Sequence, residues 1–178
     1  MPGTSISIGI SLGSNGPSGP PRTNLALYSE QFDNAVWTPY LGPTALANAA
    51  VDPIGGNTAD NEAFGAGPQE LYQAITYAQA VAYTFSLYVM RNGGTDQNFR
   101  LKLTNPGTAY LYSSVLIATS AWQRFSFTAT TTGTGAYPFG IVTDGTNAAN
   151  LLVWGAQFET GNAATAYIGP TLGTAVTR

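Results

Sequence analysis

Apolar residues fall at every second position in several short runs of this chain, and clusters of Gly, Pro, Asn and Asp separate the runs. Alternation of period two gives an extended strand one apolar and one polar face, so wherever it holds the chain is directed to β structure. In Tyr83–Met90, Tyr83, Phe85, Leu87 and Val89 share a face opposite Thr84, Ser86 and Tyr88. In Asn98–Thr104, Phe99, Leu101 and Leu103 oppose Asn98, Arg100 and Lys102. The glycine-containing RNGGTDQ between them predicts a hairpin. Further strands are predicted at 109–117, 122–131, 139–143 and 150–158. Several short strands with Gly-rich turns indicate a β-sandwich or barrel. One stretch stays open: Pro68–Ala82 places Leu71, Ile75, Ala78 and Ala82 at helical spacing, and a strand with a following turn fits it equally.

The first residues alternate too. Ile6, Ile8, Ile10 and Leu12 fall opposite Ser5, Ser7, Gly9 and Ser11. SNGPSGPP follows, and three prolines and two glycines in eight residues suit neither a helix nor a central strand. Residues 1–13 are therefore read as a strand-forming arm, 14–22 as a linker and 23–178 as the main domain. The arm is either an edge strand of that domain or an assembly element that pairs with another chain.

Composition narrows the function. Only 8% of the 178 residues are charged while 44% are hydrophobic, which excludes long charged helices. The chain has no cysteine and no histidine, so thiolate chemistry, disulfides and the commonest general base and metal ligand are absent. Six scattered basic residues and a net charge of −3 argue against a nucleic-acid partner. No run approaches the ~18 apolar residues of a membrane span, and no basic residue precedes Arg22 as a secretory leader would require. The carboxylates, Glu30, Asp33, Asp52, Asp60, Glu62, Glu70, Asp96, Asp144 and Glu159, mostly neighbour turn residues, and the expectation is a protein that is not an enzyme. No cofactor is expected beyond a structural calcium, whose oxygen ligands could come from Glu30, Asp33 and Asn34 or from Asp52, Asn57, Asp60 and Asn61.

Ten Tyr, eight Phe and three Trp are the more informative inventory. Tyrosine offers a flat apolar face with a hydroxyl that can stay in water, which suits stacking on sugar rings and packing at interfaces. Tyr110 and Tyr112 share a strand face, and Tyr40, Tyr77, Tyr88 and Tyr137 are expected near turns or on an outward face. The candidates for glycan stacking are Trp37, Tyr88, Tyr110 and Tyr112. Trp37, Trp122 and Trp154 sit in apolar patterns and are otherwise assigned to the core.

Two segments carry a resemblance. NLALYSEQFDNAVW (24–37) and LLVWGAQFETGNAATAYI (151–168) resemble the opening and closing motifs of a domain that recurs in tail fibres, tail spikes and head-surface proteins of tailed bacteriophages. YTFSLYVM and AWQRFSFT are similar to its middle strands, and the likeness spans residues 24–170, with Phe158 standing where the family has Leu. The resemblance implies a jelly-roll β-sandwich similar to carbohydrate-binding modules, with first and last strands close together. It also implies a strand at 71–76 and a turn before YTFSLYVM, although AQAVA replaces the family's glycine-containing turn.

Within the closing motif, Leu152, Trp154, Ala156 and Phe158 are expected on one face and Leu151, Val153, Gly155 and Gln157 on the other, a strand covered on both sides. Trp37 and Trp154 are then expected to pack together. Asn24, Glu30 and Glu159 are expected to pin the terminal strands, with Asp33 joining them as a candidate calcium ligand. The resulting expectation is an all-β jelly-roll β-sandwich preceded by an extended N-terminal β-arm. Its expected role is a virion structural protein on the particle surface, as a capsid decoration, head fibre or tail appendage. Its partners would be other virion proteins and its own copies, a trimer foremost. The alternative is a carbohydrate-binding module for host surface polysaccharide.

Overall fold

The computed structural model describes residues 21–105 and 109–178; the predicted arm at 1–13 and the linker up to residue 20 lie outside them. The described residues form thirteen β-strands and contain no helix. A two-residue strand β1 (Thr23–Asn24) opens the domain. It is followed by β2 (Thr38–Tyr40), β3 (Thr44–Ala50), β4 (Ala59–Phe64), β5 (Glu70–Tyr77), β6 (Ala82–Arg91) and β7 (Gln97–Asn105). The remainder are β8 (Ala109–Tyr112), β9 (Leu116–Ala118), β10 (Gln123–Thr130), β11 (Gly135–Thr143), β12 (Ala149–Thr160) and β13 (Val176–Thr177). Five strands in the order β10-β6-β12-β4-β3 make one sheet; β2-β5-β11-β7-β8, with β9 also on β7, make the other; β1 pairs with β13. All pairings are antiparallel. The stretch left open between helix and strand is strand β5, whose in-out alternation buries Leu71, Gln73 and Tyr77, and the next strand starts at Ala82. The strand predicted at 109–117 is two strands, β8 and β9, both on β7.

The predicted hairpin of β6 and β7 does not form. β6 pairs with β10 and β12, whereas β7 pairs with β11, β8 and β9 in the opposite sheet. The reason is the apolar content of both strands. Phe85, Leu87 and Val89 on β6 and Phe99, Leu101 and Leu103 on β7 are all buried in one core, and two apolar faces bury each other when stacked, not when laid side by side. The segment 92–96, with Gly93 and Gly94 both at positive φ, crosses between the sheets.

Aromatic rings bridge the layers. Phe139 of β11 stacks on Phe158 of β12 with centroids 4.2 Å apart and meets Phe85 of β6 edge-on at 5.1 Å. Phe158 also lies against Tyr83 and Tyr77; Tyr77 ends β5 just before a turn, one of the two positions expected for it, but its side chain is fully buried rather than outward. Trp37 stacks on Phe32 at 4.7 Å and meets Phe139.

β12 is covered on both faces, as its sequence indicates, but not with the predicted partition. Between Trp154 and Gln157 the register on β6 shifts by a bulge, and Gly155 within it has φ +64°. The extra residue reverses the alternation: Leu151, Val153, Ala156 and Phe158 join the core, while Leu152, Trp154, Gln157 and Glu159 face the opposite side. There Trp154 packs on Tyr88 and Tyr167 and its indole donates to Thr58 Oγ1 at 2.9 Å. Trp37 and Trp154 are thus on opposite sides of the sheet and do not meet. Trp122, also expected in the core, is half-buried and donates to the Val51 carbonyl.

The apolar rule of the core has exceptions, Gln73 on β5 and Asp60 and Glu62 on β4 among them. Glu62 on β4 is fully buried, both carboxyl oxygens lack a hydrogen-bond partner, and the side chain lines a cavity of about 180 Å³ with Phe32, Trp37 and Leu71. Burial, then the charges of Asp60 and Asp33, push its pKa up to about 9 from an ordinary 4.5. The native state therefore holds a proton that the unfolded chain releases, and the stabilising contribution falls as pH rises from 4.5 through about 9. Its slope approaches ~1.4 kcal/mol per pH unit inside that window. Replacing Glu62→Gln is expected to remove this slope, stabilising the domain by ~2–4 kcal/mol at pH 8 and little at pH 4. Urea denaturation of both proteins across pH checks it, and parallel profiles would contradict it.

Candidate functional site

The inner face of the six-stranded sheet is core; its outer face collects side chains that no other layer of the described residues covers. Register places them in rows. Tyr40 of β2 lies beside Glu70 of β5, then Val142 of β11 and Arg100 of β7. The next row runs Thr38, Tyr72, Gly140, Lys102 and Tyr112, ending on β8. Beyond it Thr104 pairs with Tyr110. Four strand spacings separate β2 from β8, roughly 19 Å.

The centre of the face has a missing side chain. A Cβ at Gly140 would stand 2.2 Å from the Leu71 carbonyl oxygen and 2.9 Å from the Tyr72 Cβ, so no larger residue fits beneath Tyr72. On the β8 side, Tyr110 is 58% and Tyr112 41% exposed, with ring centroids 6.4 Å apart. The Lys102 ammonium sits 4.0 Å from the Tyr110 ring centroid and bonds to Glu70 of β5. This ion pair, 3% and 14% exposed, braces Tyr110 across two strands. Burial and then the Glu70 charge raise the Tyr112 hydroxyl pKa, while Arg100 acts the other way.

Beside Tyr112 the face deepens into a pocket of about 210 Å³ bounded by Glu70, Arg100, Val142, Thr143 and Asp144. Asp144 is fixed by its own turn: its carboxylate accepts from the Thr146 and Asn147 amides at 2.8 Å and from the Asn147 side chain at 2.9 Å. These bonds, those of Asn147 foremost, lower its pKa to about 2.

Of the predicted stacking residues, the structure brings together Tyr110 and Tyr112 alone. Trp37 is 2% exposed with its ring against Phe32, and Tyr88 lies on the other sheet, packed on Trp154 and 5.5 Å below the Arg124 guanidinium. Sequence reading did not single out Tyr72, Glu70 or Arg100 for this face. The alternation of Glu70, Tyr72 and Ala74 against Leu71, Gln73 and Ile75 was the available signal, and the open choice between helix and strand obscured it.

The pinning residues are gathered by the C-terminal segment. Asn24, fully buried, donates through Nδ2 to the Ala156 and Ile168 carbonyls, both at 2.9 Å. Its Oδ1 accepts from the Ala26 and Phe158 amides at 3.1 and 3.0 Å. Glu159 accepts from the amide and hydroxyl of Thr165 and from Gln157. Glu30 accepts from the Tyr167 hydroxyl at 2.9 Å, and burial raises its pKa. Asp33 shares one cavity with Glu30, Asp60 and Thr171 of the C-terminal segment and lines a second with Glu62. Asp60 and Asp52, the other candidate calcium ligands, accept backbone amides, Asp60 from Phe32 and Asn48 and Asp52 from its own turn. Among the described residues no three acidic side chains form a metal-binding cluster.

Neither a family model nor a curated protein sequence matches the chain. Solved structures match in fold. The CBM22-1 xylan-binding domain of Paenibacillus barcinonensis Xyn10C superposes with a TM-score of 0.55 at 14% identity, over 80% of this chain and 94% of that one. TmCBM61, solved with β-1,4-galactotriose, gives 0.56 at 14% identity over 76% and 97%. The fold is the jelly roll of carbohydrate-binding modules. The enzymatically active domain of bacteriophage CBA120 tailspike protein 4 gives 0.51 at 10% identity, over 76% of this chain and 21% of that one.

Removing the Asn24 side chain would leave two carbonyls and two amides without their partner in a buried site. Asn24→Ala is expected to destabilise the domain by ~3–5 kcal/mol in urea denaturation. Asn24→Asp, which keeps the volume and the acceptor but loses both donations, is expected to fall in the same range; a wild-type midpoint for either would contradict the pin.

Proposed function

We propose that this domain is a non-catalytic glycan-binding module that receives a polysaccharide across the outer face of its six-stranded sheet. The observation that carries the reading is the pair of exposed rings, Tyr110 and Tyr112, at the edge of a pocketed face on this fold. An apolar ring face stacks on the C–H face of a sugar while nearby polar groups bond its hydroxyls, and both elements are present here. The sheet is a rigid carrier, and the Lys102–Glu70 pair holds Tyr110 in place before any ligand arrives.

Affinity electrophoresis through xylan, β-1,4-galactan, polygalacturonate and alginate tests this. Retardation by at least one polymer is expected. Tyr110→Ala and Tyr112→Ala are each expected to weaken it roughly two- to tenfold, and Tyr88→Ala to leave it unchanged. Binding insensitive to both β8 tyrosines would contradict the reading.

The bacteriophage-like motifs at 24–37 and 151–168, together with the fold likeness to a tailspike domain, favour a second reading compatible with the first. In it the module is displayed on a virion surface as a homo-oligomer anchored by residues 1–13. Light scattering of the full chain against a chain starting at Thr23 is expected to give an oligomer and a monomer respectively. Equal masses would count against the arm as an assembly element.

A further inference from the structure

The chain has six cationic side chains, and the structure engages five of them. Arg22 bonds the Thr160 carbonyl, Arg91 pairs with Asp96, Lys102 with Glu70, Arg124 donates to Thr165 and Ser86, and Arg178 to Gly169. Arg100 differs. Among the described residues its side chain has no hydrogen bond and no ion pair, and its Nε is shut off from solvent without an acceptor. Nε of Arg91 and of Arg124 also lacks a hydrogen bond, but their terminal nitrogens are bonded.

Arg100 stands in the wall of the pocket beside Tyr112. Both carboxylates there are already committed, Glu70 to Lys102 and Asp144 to the amides of its own turn and to the Asn98 and Asn147 side chains. A partly desolvated cation with no counter-charge is unfavourable, and a ligand that brings the missing anion relieves that penalty.

We propose that this pocket is a subsite for a sugar bearing a carboxylate, with Arg100 as its charge partner and Tyr112 as the apolar platform for the ring. The proposal deepens, and rests on, the glycan-binding reading of the same face. The planar guanidinium offers paired donors that match a carboxylate, a complementarity that a neutral hydroxyl does not supply. A uronic acid and a pyruvylated hexose share this chemistry. The class therefore extends the reading from polysaccharides in general to acidic ones.

The test uses the full chain against polygalacturonate, alginate, their carboxyl-reduced counterparts, xylan and β-1,4-galactan, each at low and at 300 mM salt. Retardation by an acidic polymer is expected, and carboxyl reduction or Arg100→Gln is expected to weaken it at least tenfold. Arg100→Lys should retain part of the binding and 300 mM salt should reduce it. A pyruvylated polysaccharide run beside the uronates separates the two carboxylate sources. Thermal melting of each variant confirms folding.

Equal binding of native and reduced polymers, or Arg100→Gln binding at wild-type strength, overturns the subsite. So does binding of neutral polymers alone. In those cases, loss of binding in Tyr112→Ala leaves the glycan-binding reading standing. Binding to none of the polymers overturns both.

Discussion

Three hydrogen bonds made by one amide side chain join the first strand of the domain to β12 and to the segment that follows it. Asn24 reaches the Ala156 carbonyl and Phe158 amide of β12 and the Ile168 carbonyl of the segment that follows it. β12 needs that closure because it is apolar on both sides. One side belongs to the core, and the other, with Leu152 and Trp154, is covered by the C-terminal segment through Tyr167. Gln157 and Glu159 satisfy their buried polar groups on Thr165 and Ile168 of the same segment. Gly155 makes this possible. Its positive φ allows the bulge that redirects the second half of the strand, and a Cβ there would meet Tyr88 and Tyr167 at 3.4 Å.

With one sheet closed by the chain's own tail, the two sheets are not equivalent. The outer face of the five-stranded sheet is occupied around β12, while among the described residues no segment lies over that of the six-stranded sheet. There the same alternation that buries Phe99, Leu101 and Leu103 turns Arg100, Lys102 and Thr104 outward. The ion pair across β5 and β7 and the glycine at the centre of the face give it shape. Tyr110 and Tyr112 give it an apolar edge, and Arg100 a charge without a partner among the described residues.

Much of the fold was legible in the sequence, because alternation and turn residues report each strand locally. β6, β7, β10 and β12 appear within a few residues of their predicted bounds. What alternation does not encode is which strands become neighbours. β6 and β7 were expected to pair because a Gly-rich turn joins them, yet the demand to bury two apolar faces placed them in different sheets. The bulge in β12 was equally invisible, since one inserted residue changes the phase without changing the composition. For the site, Tyr110 and Tyr112 could be found because they share one short strand. Arg100, Tyr72 and Glu70 could not be joined to them without the order β5-β11-β7-β8. Glu62 carries no sequence signal at all; a carboxylate between Asn and Ala reads as solvent-facing until its strand is known to point it inward.

The most direct test of the account is a map of amide shifts in the ¹⁵N-labelled domain titrated with an equimolar mixture of xylose, galactose and galacturonic acid oligomers. The account predicts perturbations confined to β5, β7, β8 and β11 and centred on Tyr112 and Gly140. Perturbations around Tyr88 and Trp154, or none on the six-stranded sheet at saturating sugar, would contradict it.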